Sequence, residues 1–270
     1  MLFAMLISQR ILAARQPSNI LQESTSEPSQ HNFETFTQAD LEIVTGNVQR
    51  PNGVLWYNNF LYTACTGDQT LYEINSETGS TLTYIAGVVN AHTVYADPMP
   101  GQALSLWVPD YGTNDLLHIT RTNIARLGAD LHGPWGIAAL DDTNFLITNL
   151  LNSTLTKVSR EGESEVILDG LSSPTGLVID DSAIYIANNG STRRAVEVYP
   201  LSIVDGEAGE AQVLVRGVQN VTGLALGVDG YLYFAYSLGT RGLVGRVDPV
   251  ECSENGGCTT DNIEIVIYSD

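Results

Sequence analysis

The chain has 270 residues, 43% of them hydrophobic, and a formal charge of −19 from 31 acidic and 12 basic side chains. The apolar share is ample for one core, and the scarcity of Lys and Arg argues against nucleic acid and against an anionic membrane surface, both of which are bound through clustered cations. Cationic ligands and metal ions stay compatible with such a surface, although acidity by itself mainly keeps a protein solvated.

Met1 to Ala14 (MLFAMLISQRILAA) is apolar, but it is short and interrupted by Gln9 and Arg10. That is too little to span a bilayer, and the basic start of a secretory signal is missing, so it reads as a degraded signal or an unstructured start with no membrane insertion. Gln16 to Ala39 is rich in Ser, Gln, Glu, Thr and Asn, which extends the expected disorder over residues 1–39. From Asp40 to Asp270 the chain is expected to be one all-β domain with no helix. Asp40 to Thr45 (DLEIVT) looks like an outermost strand with no inner strands before it.

A unit of four short apolar runs then repeats five times. The units begin at PNGVLW (Pro51), AHTVYA (Ala91), GPWGIA (Gly133), SPTGLV (Ser173) and VTGLAL (Val221). The fourth is the clearest. Gly176–Asp180, Ala183–Ala187, Ala195–Tyr199 and Ala211–Arg216 are β-branched runs separated by Asp181-Ser182, Asn188-Asn189-Gly190 and a polar connection. Anchored on Gly53, Thr93, Gly136, Gly176 and Gly223, the intervals are 40, 43, 40 and 47 residues. Four short strands at such a period predict a β-propeller of four-stranded antiparallel blades, because each sheet is apolar on both faces and needs two neighbours.

Five units are complete, and Asp40 to Thr45 would be the outer strand of an incomplete sixth blade; the alternative is that five blades close and this stretch lies along an edge. An open flank would expose apolar sheet faces, which favours self-association or completion by another chain. Cys252 and Cys258 bracket SENGG, read as a hairpin tip between the last two strands. They either bridge, which suits a secreted or periplasmic protein, or remain free thiols. Cys65 reads as buried packing. Asn152-Ser153-Thr154, Asn189-Gly190-Ser191 and Asn220-Val221-Thr222 fit the N-glycosylation triplet, which has weight only in a secreted chain.

In a propeller the residues starting each innermost strand ring the central channel. Here they are Asn52, His92, Trp135, Thr175 and Thr222; a second ring from the ends of the second strands holds Thr66, Asp110, Asn149, Asn188 and Tyr236. Converging polar and aromatic groups make a candidate binding funnel for a small molecule or a protein, with Asn52, His92, Trp135, Thr175, Thr222 and Tyr236 as its contacts. No nucleophile elbow, Walker loop, HExxH or Rossmann fingerprint is present.

The phrases PNGVLW, GPWGIA, SPTGLVID and VTGLALGVDGYLY resemble the six-bladed, calcium-dependent lactonase family of gluconolactonase and regucalcin, and also NHL-repeat propellers and streptogramin lyase. The similarity covers Gln49 to Asp270 and lies mainly in strand-forming motifs. The lactonase resemblance implies a divalent cation in the channel, held by a Glu at the first inner strand, the Asn of a PNG motif and the Asp of a PDG motif. Asn52 matches the PNG position, whereas Thr175 stands at the PDG position and no Glu begins an inner strand. On this resemblance a calcium site would draw on Asn52, Asp110, Asn149 and Asn188, with His92 as proton carrier; the lyase resemblance also implies a histidine base, His92, with His132 just before the third inner strand. The absent carboxylates favour instead a non-enzymatic ring that presents its funnel to a ligand or partner. A third reading is an incomplete propeller serving as an interaction scaffold.

Overall fold

The computed structural model describes residues 35–98, 103–190 and 193–268; the expectations for residues 1–34 lie outside them. Twenty strands form five four-stranded antiparallel sheets, each in sequential order. The first blade is β1 (Pro51–Tyr57), β2 (Phe60–Cys65), β3 (Thr70–Asn75) and β4 (Thr81–Ala86). The second is β5 (Tyr95–Asp97), β6 (Ser105–Asp110), β7 (Asp115–Thr120) and β8 (Asn123–Leu127). The third is β9 (Pro134–Ala139), β10 (Asn144–Asn149), β11 (Thr154–Ser159) and β12 (Ser164–Leu168). The fourth is β13 (Pro174–Ile179), β14 (Ala183–Gly190), β15 (Arg193–Pro200) and β16 (Gln212–Arg216). The fifth is β17 (Gln219–Leu226), β18 (Leu232–Leu238), β19 (Arg241–Val247) and β20 (Glu264–Tyr268).

Local chemistry sets these hairpins. Asn58 and Asn59 both take positive φ between the paired Tyr57 and Phe60, the requirement of a tight two-residue hairpin. In the fourth blade Asp180 Oδ1 accepts the backbone N–H of Ser182 and Ala183, each at 2.8 Å, closing the turn into β14. Second strands lie within the sheets and are covered on both faces, by neighbouring blades or, on one face of the first and fifth blades, by N-terminal coil, so most of their residues are buried: every residue of β6, and all but the first of β2 and β10. The core is therefore a set of layers between blades.

Those layers are continuous at four junctions. Tyr62, Ala64, Leu71, Leu106 and Leu117 join blades one and two, while Trp107, Leu116, Ile137 and Phe145 join two and three. Leu146, Leu155, Ile184 and Ile186 join three and four, and Ala187, Val196, Leu232 and Phe234 join four and five. Inner-strand glycines let the backbones close up there. A Cβ on Gly53 would lie 2.9 Å from the backbone of His92, one on Gly136 would lie 2.6 Å from Thr175 O, and one on Gly176 would lie 2.9 Å from Leu224 Cγ.

The junction between blades five and one is different. Its two faces carry separate clusters: Tyr233, Val244, Val266 and Ile267 on one side, Leu61 and Ile74 on the other. Nothing lies within 4 Å of the Cβ position of Gly223, and Ala225 on the same inner strand is exposed. Coil from the N-terminal side fills this seam. Phe36 forms a single parallel bridge to Ile267, its N–H donating to Val266 O at 2.8 Å, and Leu41 packs on the blade-five cluster. Val44 and Val48 pack on the blade-one cluster, and the Thr45 and Thr81 hydroxyls are 2.8 Å apart. Gly79, at φ +68°, sits against the Val44 carbonyl.

Two expectations are corrected here. The blade count is five, and Asp40 to Thr45 is not the outer strand of a sixth: Gln38–Asp40 is a single 3-10 turn and Leu41–Thr45 has no ladder partner. Leu41, Val44 and Val48 form a wedge between two faces, while Ile43, the residue a strand would put on the same face as Leu41, is 83% exposed. The expectation of no helix also fails, at α1 (Pro249–Glu254). Asp248 Oδ1 accepts from Val250 N at 2.9 Å and Glu251 N at 3.1 Å, and Pro249 occupies the first helical position, where its missing N–H is no loss. Cys252 on this helix is bonded to Cys258, with Cα atoms 5.0 Å apart. The clip lays Cys258 parallel to β16, its N–H donating to Leu214 O at 2.7 Å.

Candidate ligand-binding mouth

The pairing of inner with second strands slips at one end of blades one, three, four and five, between Pro51 and Val54, between Ile147 and Asn149, between Pro174 and Leu177, and between Gln219 and Gly223. A bulge at this point re-aims a side chain out of the sheet. Asn52, Trp135, Thr175 and Thr222 all stand at these irregularities, at the end of the blades that forms the candidate mouth. In the second blade His92 follows the isolated bridge between Ala91 and Asp110.

Three rings converge there. The imidazole of His92 stacks on the indole of Trp135 with centroids 3.4 Å apart and planes 6° from parallel. Tyr111, in the turn after β6, meets both edge-on, at 5.9 Å from His92 and 6.2 Å from Trp135. Trp135 Nε1 donates to the carbonyl of Thr222 at 3.1 Å, so this side chain of blade three reaches past blade four to blade five. Burial holds the His92 imidazole down at about 4, against a weaker opposing pull from Asp110, and it is neutral at pH 7. Asn52 completes the mouth on the side of blade one, its Nδ2 donating to Asn90 Oδ1 at 3.4 Å.

The other polar groups of the two rings have framework partners. Asp110 is fully buried, and its carboxylate accepts from Val89 N at 2.8 Å, Asn90 N at 3.0 Å and Gly112 N at 2.9 Å. Asn149 Oδ1 accepts from His132 N at 3.1 Å, and its Nδ2 donates to Thr154 Oγ1 and Thr156 Oγ1. Asn188 Oδ1 accepts from Ser172 N at 2.9 Å, and its Nδ2 donates to Glu197 Oε2. Each of the three thus ties the end of a second strand to the segment leading into the inner strand of its own blade. Thr175 is buried, its hydroxyl donating to Val221 O at 2.5 Å and accepting from Asn189 Nδ2 at 2.8 Å.

Strand pairing places Cys65 and Ser237, opposite Pro51 and Gln219, at the positions that Asp110, Asn149 and Asn188 occupy in the other blades. Thr66 and Tyr236 are each one residue away, and a one-residue step along a strand reverses the face. Tyr236 accordingly packs in the core between blades four and five, away from the funnel, whereas Thr66 bonds back to the Arg50 carbonyl. Of the four residues considered as calcium ligands, Asn52 alone is exposed at the mouth. The oxygens of the other three already accept backbone N–H groups, and calcium needs six to eight oxygens, so the set does not form a cage. Among the described residues no group of three or more His, Cys, Asp or Glu side chains is placed to hold a metal ion.

Tyr111, Asn90 and Asn189 belong to the candidate mouth or its support and were not assigned to it from sequence. An aromatic directly after the last residue of a second strand was the available signal for Tyr111. A separate polar cleft of about 370 Å³ lies at the outer rim of blade five, lined by Tyr231, Asp248, Glu251 and Glu264 beside the disulfide, and does not include the mouth.

No protein-family model matches the chain, and no curated protein sequence matches it. Solved structures do. A chain of a nidogen/laminin complex is similar with a TM-score of 0.63 at 12% identity, over 82% of this chain and 85% of that one. A gluconolactonase from Xanthomonas campestris gives 0.63 at 12% identity over 75% and 73%, and a streptogramin B lyase 0.57 at 15% over 81% and 68%. At such identities the likeness concerns architecture, and together with the five sheets it defines the chain as a β-propeller.

Proposed function

We propose that this chain is a binding propeller whose channel mouth takes a small ligand, or a projecting side chain of a partner, onto the aromatic group of His92, Trp135 and Tyr111. The observation that carries this reading is the stacked His92–Trp135 pair spanning the mouth. A neutral imidazole on an indole, with an edge-on phenol, is a rigid apolar plate rimmed by the amides of Asn52 and Asn90, and it suits flat or ring-bearing groups. The same geometry weakens a base role for His92. Its proton affinity is low, and the nearby Asp110 carboxylate is already taken up by three backbone N–H groups.

The test is intrinsic tryptophan fluorescence with a panel of ring-bearing metabolites and peptides, repeated with Trp135→Ala and His92→Ala. Saturable quenching that both substitutions weaken at least tenfold is the expected result. The lactonase alternative is decided alongside by calorimetric titration with calcium, manganese and zinc. Micromolar calcium binding lost in Asn52→Ala, with turnover of a lactone panel, would replace the binding reading by an enzymatic one.

A further inference from the structure

The three glycosylation triplets are not equivalent in the fold, and we infer that Asn152 is an acceptor site for an N-linked glycan whereas Asn189 is not. Asn152 lies in the exposed turn between β10 and β11. The hydroxyl of Thr154, two residues on, donates to Asn152 Oδ1 at 3.0 Å. The triplet thus has its hydroxyl and its amide in contact within one turn, with the amide on the exposed side and Thr154 buried at the start of β11. Asn149 steadies that hydroxyl from the other side, its Nδ2 donating to Thr154 Oγ1 at 3.2 Å. Among the described residues Asn152 Nδ2, the atom that would carry the sugar, donates to no protein acceptor.

The other triplets are committed to the framework. Asn189 Nδ2 donates both to Thr175 Oγ1 and to Val221 O at 2.8 Å, while its Oδ1 accepts from Val221 N at 2.8 Å. A sugar on that nitrogen would break the joint between blades four and five, so a chain modified there could not fold to this structure. Asn220-Val221-Thr222 is clamped at its middle residue, which is fully buried and held by Asn189 through both its N–H and its carbonyl.

Two independent features agree with the assignment. The Cys252–Cys258 bond belongs in an oxidising compartment, which is where N-glycan transfer takes place. Leu151, beside Asn152, is 61% exposed next to Tyr111 at the mouth, and the apolar face of a proximal sugar would cover it. The transfer itself balances simply. The Asn152 amide nitrogen attacks the anomeric carbon of a lipid-linked oligosaccharide donor, so that the C–N bond forms as the anomeric C–O bond breaks, the lipid pyrophosphate leaves and the amide loses one proton.

The full chain is expressed in a eukaryotic host behind a secretory leader, and both secreted and cell-retained protein are treated with an amidase that removes N-glycans in ¹⁸O water. Expected are a single glycan's loss of mass, an ¹⁸O-labelled aspartate at position 152, and loss of the glycan in Asn152→Gln but not in Asn189→Gln. Because the retained pool is mapped too, a variant that fails to fold still reports occupancy. An unmodified Asn152 in both pools, or a glycan on Asn189 in the secreted chain, would overturn the inference.

Discussion

At four of its five junctions this propeller packs sheet against sheet, and at the fifth it packs both sheets against coil. The sheet-on-sheet joints are so close that Gly136 and Gly176 have no room for a methyl group, and polar side chains reach across them: Thr148 donates to Thr175 O at 2.6 Å, and Asn189 bonds both ways to Val221. At the seam Gly223 faces open space, and the separate blade-five and blade-one clusters are bridged by Leu41, Val44 and Val48. The comparison teaches that repeat geometry alone does not close the ring. Equal blades would leave the last gap as tight as the others, and here it is wide enough for a segment of backbone.

The largest effect should come from filling a tight joint. Gly136→Ala forces its new methyl against a backbone oxygen of the next blade and should destabilise by about 1–3 kcal/mol. Gly223→Ala, at the equivalent place on the seam, should stay within about 0.5 kcal/mol of the parent. Urea unfolding of the two variants reads the contrast directly, and equal losses would mean that the seam is as closely packed as the other joints. Next is the disulfide, which clips α1 and its loop to the outer strand of blade four. Cys252→Ser with Cys258→Ser should cost about 2 kcal/mol for so short a loop, seen as a lower urea midpoint. Leu41→Ala, which thins the wedge where it is half-buried, should cost about 1–2 kcal/mol and raise binding of a hydrophobic dye. Such a gain in dye binding would be absent for an apolar truncation within the exposed turns.

The last effect is one of pH and belongs to the mouth. Folding lowers the proton affinity of His92 from its usual 6.5 to about 4, so between those values the unfolded chain binds the extra proton. Stability should therefore be fully present above about pH 6.5 and decline as pH falls toward 4. His118, stacked on Trp107 and also lowered by burial, contributes with the same sign. His92→Phe should flatten the profile of melting temperature between pH 7 and 5 without abolishing its slope.

Much of the architecture was legible because the signals were local and repeated. A β-branched run, an Asp or Asn turn and a second run recur in every unit, and each occurrence reports the same sheet. The blade count was misjudged at DLEIVT because its place before the first inner strand matched that of an outer strand, and position in the repeat does not show whether a ladder partner exists. Helix α1 escaped because six residues are too few for a helical period, although Asp248-Pro249 carries a start signal. For the proposed mouth, Asn52, His92, Trp135 and Thr222 were chosen from their positions before the inner strands, and the stack of His92 on Trp135 gives that choice its geometry. What could not be read was direction. Tyr236 and Ser237 differ by one residue and face opposite ways, and the reach of Trp135 to Thr222 depends on a bulge and on the spacing of three blades.

The wedge also sets an order of events during synthesis. Thr35 and its partner Ile265 are 230 residues apart, so the segment that seals the ring is made early while the blade it must touch is made last. On a ribosome the face of blade one carrying Leu61 and Ile74 is complete long before its far neighbour exists. Val44 and Val48 are already in hand to cover it, because they belong to the stretch of chain just upstream. The first blade thus leaves the ribosome carrying its own cover. Only the short leg from Phe36 to Leu41 must wait for β20, and that late, long-range contact is where refolding should stall first.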